Sequence, residues 1–372
     1  MPSPSDTTAC FYSNEAWLST LPAFALAWEG PISLTFETAH SRHSPARRRL
    51  IERIVKLRGS DPLIRENVDF HFVGMPETSS EKALNRTRER LIATPVAMNF
   101  HQNLARFFAP TNVVWMVNDA RIVPSKGLRE RLRRSDVLEL MLEKGDAIVV
   151  PTFAFARESA GSIPTLDSSR ATLGLPPTQG SFVGVAENEF EILADYNVRA
   201  YYDTIPLSPP RWPTKKAALL PLVTIRPRTL ALHDEAWDLN RGPTNWVLWR
   251  KAADDSRLAD RPEAGGGLGL GPDSAIGGGN NPYRVAEYDL HYSPSIVMSQ
   301  KGQPWCTERF EQLQSACVYQ VYLSGAELWV LPDEWAFTLR PLEQREEGFL
   351  DPAVKLKVRR SHCRFSRCEN LH

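Results

Sequence analysis

Neither a G-x-G-x-x-G loop nor a Walker-type glycine run occurs anywhere in this 372-residue chain. Their absence removes the dinucleotide fingerprint of Rossmann dehydrogenases and the phosphate cradle of P-loop enzymes. There is no Gly-x-Ser-x-Gly elbow and no His-Glu-x-x-His, so two common hydrolase designs are missing as well. No Cys-x-x-Cys pair argues for zinc, and five cysteines are too few and too scattered for a disulfide scaffold. No apolar run approaches the roughly 18 residues of a membrane span. An excess of one charge is lacking too: 44 Lys plus Arg balance 44 Asp plus Glu, leaving no global field to draw in nucleic acid or an anionic membrane.

What remains is ample chain for a sizeable core, either as two domains or as one α/β domain with insertions. The 29 prolines and 21 glycines point to many irregular loops. The odd cysteine count leaves at least one thiol unpaired. Cys306 with Cys317, or Cys363 with Cys368, could pair in an oxidising compartment, and reduced buried thiols are the alternative. The sequon Asn85-Arg86-Thr87 matters only in the secretory pathway. Residues 1–30 read as an N-terminal extension. Within it, Leu18–Trp28 is apolar but short and broken by Pro22, so it reads as a buried strand or loop, or as the end of a signal sequence.

Pro31–Glu37 is expected to be the first strand. A helix follows, capped by Ser44 with Pro45 in its first position, its stripe Leu50, Ile51, Ile54, Val55 and Leu57 opposed by a basic face. Val68–Gly74 alternates as a second strand. A further helix, from about Asn99, interleaves Gln102, Asn103 and Arg106 with Phe100, Leu104 and Phe107. Pro110 ends it, and Val113–Val117 reads as a strand buried on both faces. Asn118 and Asp119 stand at that strand's carboxyl end, the edge where open α/β sheets bind ligands, although a lone Asp there is more often a turn residue. Ser125 is expected to cap one helix carrying Leu128, Leu132, Val137 and Leu138. Ala147–Val150 is a core strand, and Thr152–Phe155 beyond it would line a cleft. Residues 157–216 and 255–282 are irregular insertions, the second glycine-rich. A helix from Thr307 to Tyr322 and a last strand at Glu327–Asp333 close the fold, and 341–372 is a basic tail. Strand-helix alternation of this kind predicts an α/β fold, a mostly parallel sheet flanked by helices.

Four fragments in order resemble the LARGE-type glycosyltransferases, family 49. Asn99 and Asn103-Leu104-Ala105 are similar to the family's N-x-x-R-N-x-A helix. Val117-Asn118-Asp119-Ala120-Arg121-Ile122-Val123-Pro124 stands where that family has D-x-D-[FL]-x-P. Asp146–Phe153 is similar to its A-x-V-x-P-x-F strand. Pro304-Trp305, Glu308-Arg309-Phe310 and Tyr322–Asp333 resemble its acceptor-side block. The resemblance spans residues 31–340 and implies a GT-A fold. It further implies inverting transfer of a sugar from a nucleotide donor, UDP-linked in the family's manner, to a glycan hydroxyl in the Golgi or secretory lumen. By the same resemblance Glu308 would be the catalytic base. Asn99, Asn103, Asp119 and Arg121 would meet the donor, Trp305 and Phe153 the acceptor, and Asp119 a Mn²⁺ ion.

Three departures stand out. Arg121 replaces the second carboxylate of the metal motif, and a hard divalent ion wants oxygen ligands. Gln102 replaces the helix arginine, and no histidine follows the last strand until His362. Arg121 could neutralise the diphosphate itself, since a guanidinium fork matches phosphate oxygens. The alternative is a degraded site in a non-catalytic glycan-binding or scaffolding protein. Each residue also has a plainer reading: Glu308 as a helix N-terminal acid, Arg121 as a surface ion pair, and Asn99 and Asn103 as ordinary helix polar contacts.

Overall fold

The computed structural model describes residues 3, 6–38, 40, 43–74, 98–118, 122–155, 213, 215–225, 230–233, 242–254, 282–308 and 314–338. Side chains alternate along its strands, and that alternation builds two cores on one sheet. Ala9, Phe11, Leu34, Phe36, Trp115, Val117, Ile148 and Val150 face one way. Cys10, Val114, Met116, Ala147, Val149, Ile296 and Met298 face the other. Both faces are therefore apolar, the pattern of a sheet covered by helices on each side.

Eight strands form this sheet: β1 (Thr7–Asn14), β2 (Ile32–Thr38), β3 (Val68–Gly74), β4 (Val113–Met116), β6 (Ala147–Val150), β9 (Tyr283–Arg284), β10 (Ser295–Ser299) and β11 (Leu328–Val330). Their order is β3-β2-β1-β4-β10-β6-β11-β9. The block from β3 to β4 is parallel. β10 enters antiparallel between β4 and β6, and β6 pairs parallel with β11. A smaller sheet follows the order β5-β12-β7-β8, from β5 (Ile122–Pro124), β7 (Thr152–Phe155), β8 (Leu230–His233) and β12 (Ala336–Thr338).

On the first face lie α1 (Leu21–Trp28), α2 (Pro45–Ser60) and α3 (Pro62–Asn67), joined by α5 (Leu128–Arg133) and α6 (Asp136–Glu143). On the second lie α4 (Met98–Phe107), α7 (Lys216–Thr224), α8 (Trp246–Asp254) and α9 (Gln314–Leu323). Ser44 caps α2 as expected, accepting a hydrogen bond from the Arg47 amide.

Several sequence expectations are corrected. The strand at Pro31 is the second, because Thr7–Asn14 precedes it and lies between β2 and β4 in the sheet; β1 and the buried side of α1 belong to the core rather than to an extension. Leu18–Trp28 contains a helix, not a strand or loop. Pro22 sits in its first turn, where a missing N–H costs nothing. Ser125 caps no helix. It donates to the Glu334 carboxylate, and two helices replace the one expected, the second capped by Ser135. A strand at 336–338 follows the one expected to be last. Outside the described residues lie Asp119, Arg121, the sequon, His362, Cys363, Cys368, Arg309 and Phe310, nearly all of 157–216, residues 255–281 of the second insertion, and the tail.

Candidate functional site

The chain steps from β1 to β2 to β3 in one direction, then returns through α4 to β4 on the other side of β1. In open α/β sheets such a reversal of strand order marks a crevice beyond the carboxyl ends of the strands, and ligands bind there.

Polar side chains collect at this edge. The Tyr12 hydroxyl, from the end of β1, donates to Glu37 Oε2 at 2.9 Å. His101, in the first turn of α4, stacks on the Tyr12 ring at 4.6 Å and places its Nε2 3.3 Å from the same carboxylate oxygen. All three are buried. Burial first, and then the negative charge of Glu37, push the Tyr12 phenol well above its ordinary range, so it stays a donor. Gln102 Nε2 donates to the Val117 carbonyl at 3.1 Å, beside the end of β4. Asn118 donates to the Ser293 carbonyl at 2.9 Å and accepts from the Ser295 hydroxyl at 2.7 Å.

Three polar atoms at this edge have unmet hydrogen-bonding capacity. Gln102 Oε1, His101 Nδ1 and Ser293 Oγ are buried, with no partner among the described residues. A buried polar atom left unpaired costs roughly 1–3 kcal/mol, so such atoms call for water or a ligand.

Asn99 and Asn103, one turn apart, sit on the flank of α4. Their amides grip the segment carrying Trp305 and Glu308. Asn99 donates to the Thr307 carbonyl at 2.9 Å; Asn103 donates to the Cys306 carbonyl at 2.7 Å and accepts from the Cys306 amide at 2.9 Å. The same Asn103 amide lies 3.3 Å from Glu308 Oε1. A disulfide joins Cys306 to Cys317 of α9. Of the two pairings open in the sequence, this one is formed.

The segment runs opposite to α4. Pro304 lies against Arg106, Cys306 against Asn103 and Thr307 against Asn99. Thr307 and Glu308 therefore lie nearer the carboxyl edge of the sheet than Trp305 does, and the Glu308 carboxylate turns back to the Asn103 amide. Trp305 is 44% exposed, its ring beneath the Arg106 guanidinium at 4.5 Å. Phe153 does not line a cleft. It is wholly buried against Trp249 and Trp246, with ring centroids at 5.1 and 6.4 Å.

Asp119 and Arg121 follow Asn118 in sequence and lie outside the described residues. Among those that are described, no three His, Cys, Asp or Glu side chains converge as a metal set. Glu37, the carboxylate at the crevice, is already engaged by Tyr12 and His101. A divalent ion at this edge would depend on Asp119, which lies outside the described residues.

No protein-family model matches the chain, and no curated protein matches it either.

Reading the sequence alone misses Tyr12, Glu37 and His101. The run Thr7–Tyr12, rich in β-branched and aromatic residues and ending in Ser13-Asn14, was the available signal for a strand with a polar carboxyl end.

Proposed function

We propose that this chain is a glycosyltransferase of GT-A-like fold that takes a nucleotide sugar, UDP-linked as the family resemblance implies, into the crevice between β1 and β4. The observation that carries the proposal is the set of buried atoms without partners among the described residues at that crevice, Gln102 Oε1, His101 Nδ1 and Ser293 Oγ. A lining of hydroxyl, amide and imidazole groups suits a ligand rich in hydroxyls and carbonyls, such as a nucleoside. The parallel block of strands, interrupted by one antiparallel strand, is compatible with that fold.

In the proposed reaction an acceptor hydroxyl oxygen attacks the anomeric carbon. A new carbon–oxygen bond forms as the bond to the diphosphate breaks, the electron pair leaving with the phosphate and the configuration inverting. Glu308 takes the hydroxyl proton, oriented by the Asn103 amide. Arg121 neutralises the departing diphosphate. Asp119 meets the donor, and no step is routed through a metal. A secretory or Golgi lumen is the proposed compartment, which suits the Cys306–Cys317 disulfide.

Trp305 favours a second reading. An exposed indole backed by a guanidinium is a platform on which a sugar ring can stack without turnover, as a non-catalytic glycan-binding protein would use it. UDP-sugar hydrolysis and transfer, screened with and without Mn²⁺ for wild type and Asp119→Ala, separates the two. Turnover lost in the variant supports the enzyme. Glycan binding with no turnover in either protein supports the second reading, and equal turnover in both removes Asp119 from the site.

A further inference from the structure

The neutrality of the whole chain conceals a strong local asymmetry. Helix α2 carries six cations, Arg47, Arg48, Arg49, Arg53, Lys56 and Arg58, against the single acid Glu52. Its inward face is accounted for: Leu50 and Ile54 are buried in the core. The outward face is not.

Two of the cations are engaged, Arg53 with Glu15 at 3.0 Å and Arg58 with the Arg65 carbonyl at 3.2 Å. Arg47, Arg48, Arg49 and Lys56 form no ion pair among the described residues. Amid these charges, Ile51 and Val55 stand 41% and 62% exposed. They are four residues apart and so share one patch of helix surface. By the same spacing their neighbours are Arg47 and Arg48 on one side and Arg58 on the other, with Glu52 the one acid among them.

We infer that the outer face of α2 docks the protein on an anionic membrane surface. The cations meet lipid phosphates and carboxylates, and Ile51 and Val55 enter the interface between headgroups. Both halves of the patch then have a use. A purely polar polyanion would satisfy the cations and leave the two aliphatic side chains without purpose, whereas a bilayer interface supplies charge and apolar depth together. The inference stands apart from the proposed catalytic reading and from the luminal compartment proposed with it, since anionic lipid is a feature of the cytoplasmic leaflet.

The test is co-sedimentation of the full chain with vesicles of phosphatidylcholine alone and of phosphatidylcholine with phosphatidylserine. The expected result is binding to the second kind only, weakening as salt rises past about 0.1 M. Arg48→Glu with Lys56→Glu should weaken it by about twentyfold or more, at roughly fivefold per cation removed. Ile51→Ser with Val55→Ser should weaken it several-fold at unchanged charge. Since all four side chains are exposed, both double variants should keep the wild-type melting temperature. Equal sedimentation with both lipids overturns the inference. So does binding to acidic vesicles that is indifferent to the aliphatic pair and abolished by heparin or an oligonucleotide, which marks a polyanion site.

Discussion

Glu334 shows how a single carboxyl can make stability depend on pH. Burial, reinforced by the neighbouring Asp333 charge, pushes it up from about 4.5 to about 7, although the Ser125 hydroxyl and Arg131 partly oppose this. A carboxyl raised on folding binds its proton more tightly in the native state. Its contribution is therefore complete below about pH 4.5 and is lost as pH rises through about 7. Replacing it with Gln, which keeps the shape without the charge, should flatten that limb and raise stability at pH 8 by roughly 1–3 kcal/mol. Urea unfolding of both proteins from pH 5 to 8 checks this; parallel pH profiles would show that Glu334 titrates normally. Nothing around Glu334 in the sequence announces this environment, because Ser125 lies over two hundred residues upstream. Arg106 is similar: the sequence shows a helix cation, and the fold buries it against the carbonyls of Gln300, Gln303 and Pro304 at 2.8, 2.6 and 2.7 Å.

Among the elements, those with one strong local signal were legible. Val113–Val117 is a continuous apolar run and is the strand it reads as. Helix α2 has its Ser44 cap and Pro45 start in plain view. β1 carries only a weak signal of its own, the β-branched and aromatic run Thr7–Tyr12, because Thr7, Thr8 and Ser13 dilute its apolar alternation; pairing with β2 and β4, its parallel neighbours, holds it as a strand. Phe153 lies in a strand expected to line a cleft and is instead buried, because the tryptophans that cover it, Trp246 and Trp249, are distant in sequence. The pair Asn99 and Asn103 was visible as one flank of a helix, but their partners, Cys306 and Thr307, are distant in sequence. The Cys306–Cys317 link ties that segment to α9 across a sequence separation of 11. Closing a loop of that size restricts the unfolded chain, so replacing both cysteines with serine should cost about 2–3 kcal/mol. The midpoint of denaturant unfolding reports the loss, and an unchanged midpoint would mean that the link contributes nothing to stability.

For the whole molecule, composition set the class and left the arrangement open. Strand-helix alternation gave an α/β fold, and two apolar sheet faces under helices are what the chain builds. The crevice arises only from strand order, which depends on where β4 inserts relative to β1 and is not written in any one segment. The central claim is that this crevice receives the nucleoside of a sugar nucleotide. Calorimetric titration of UDP into wild type and Gln102→Met tests it most directly, since methionine keeps the volume of Gln102 but not its free oxygen. Saturable binding by wild type, weakened about three- to tenfold in the variant by the loss of one hydrogen bond, is the expected result. No binding by wild type, or equal affinity in a variant that melts like wild type, would contradict it.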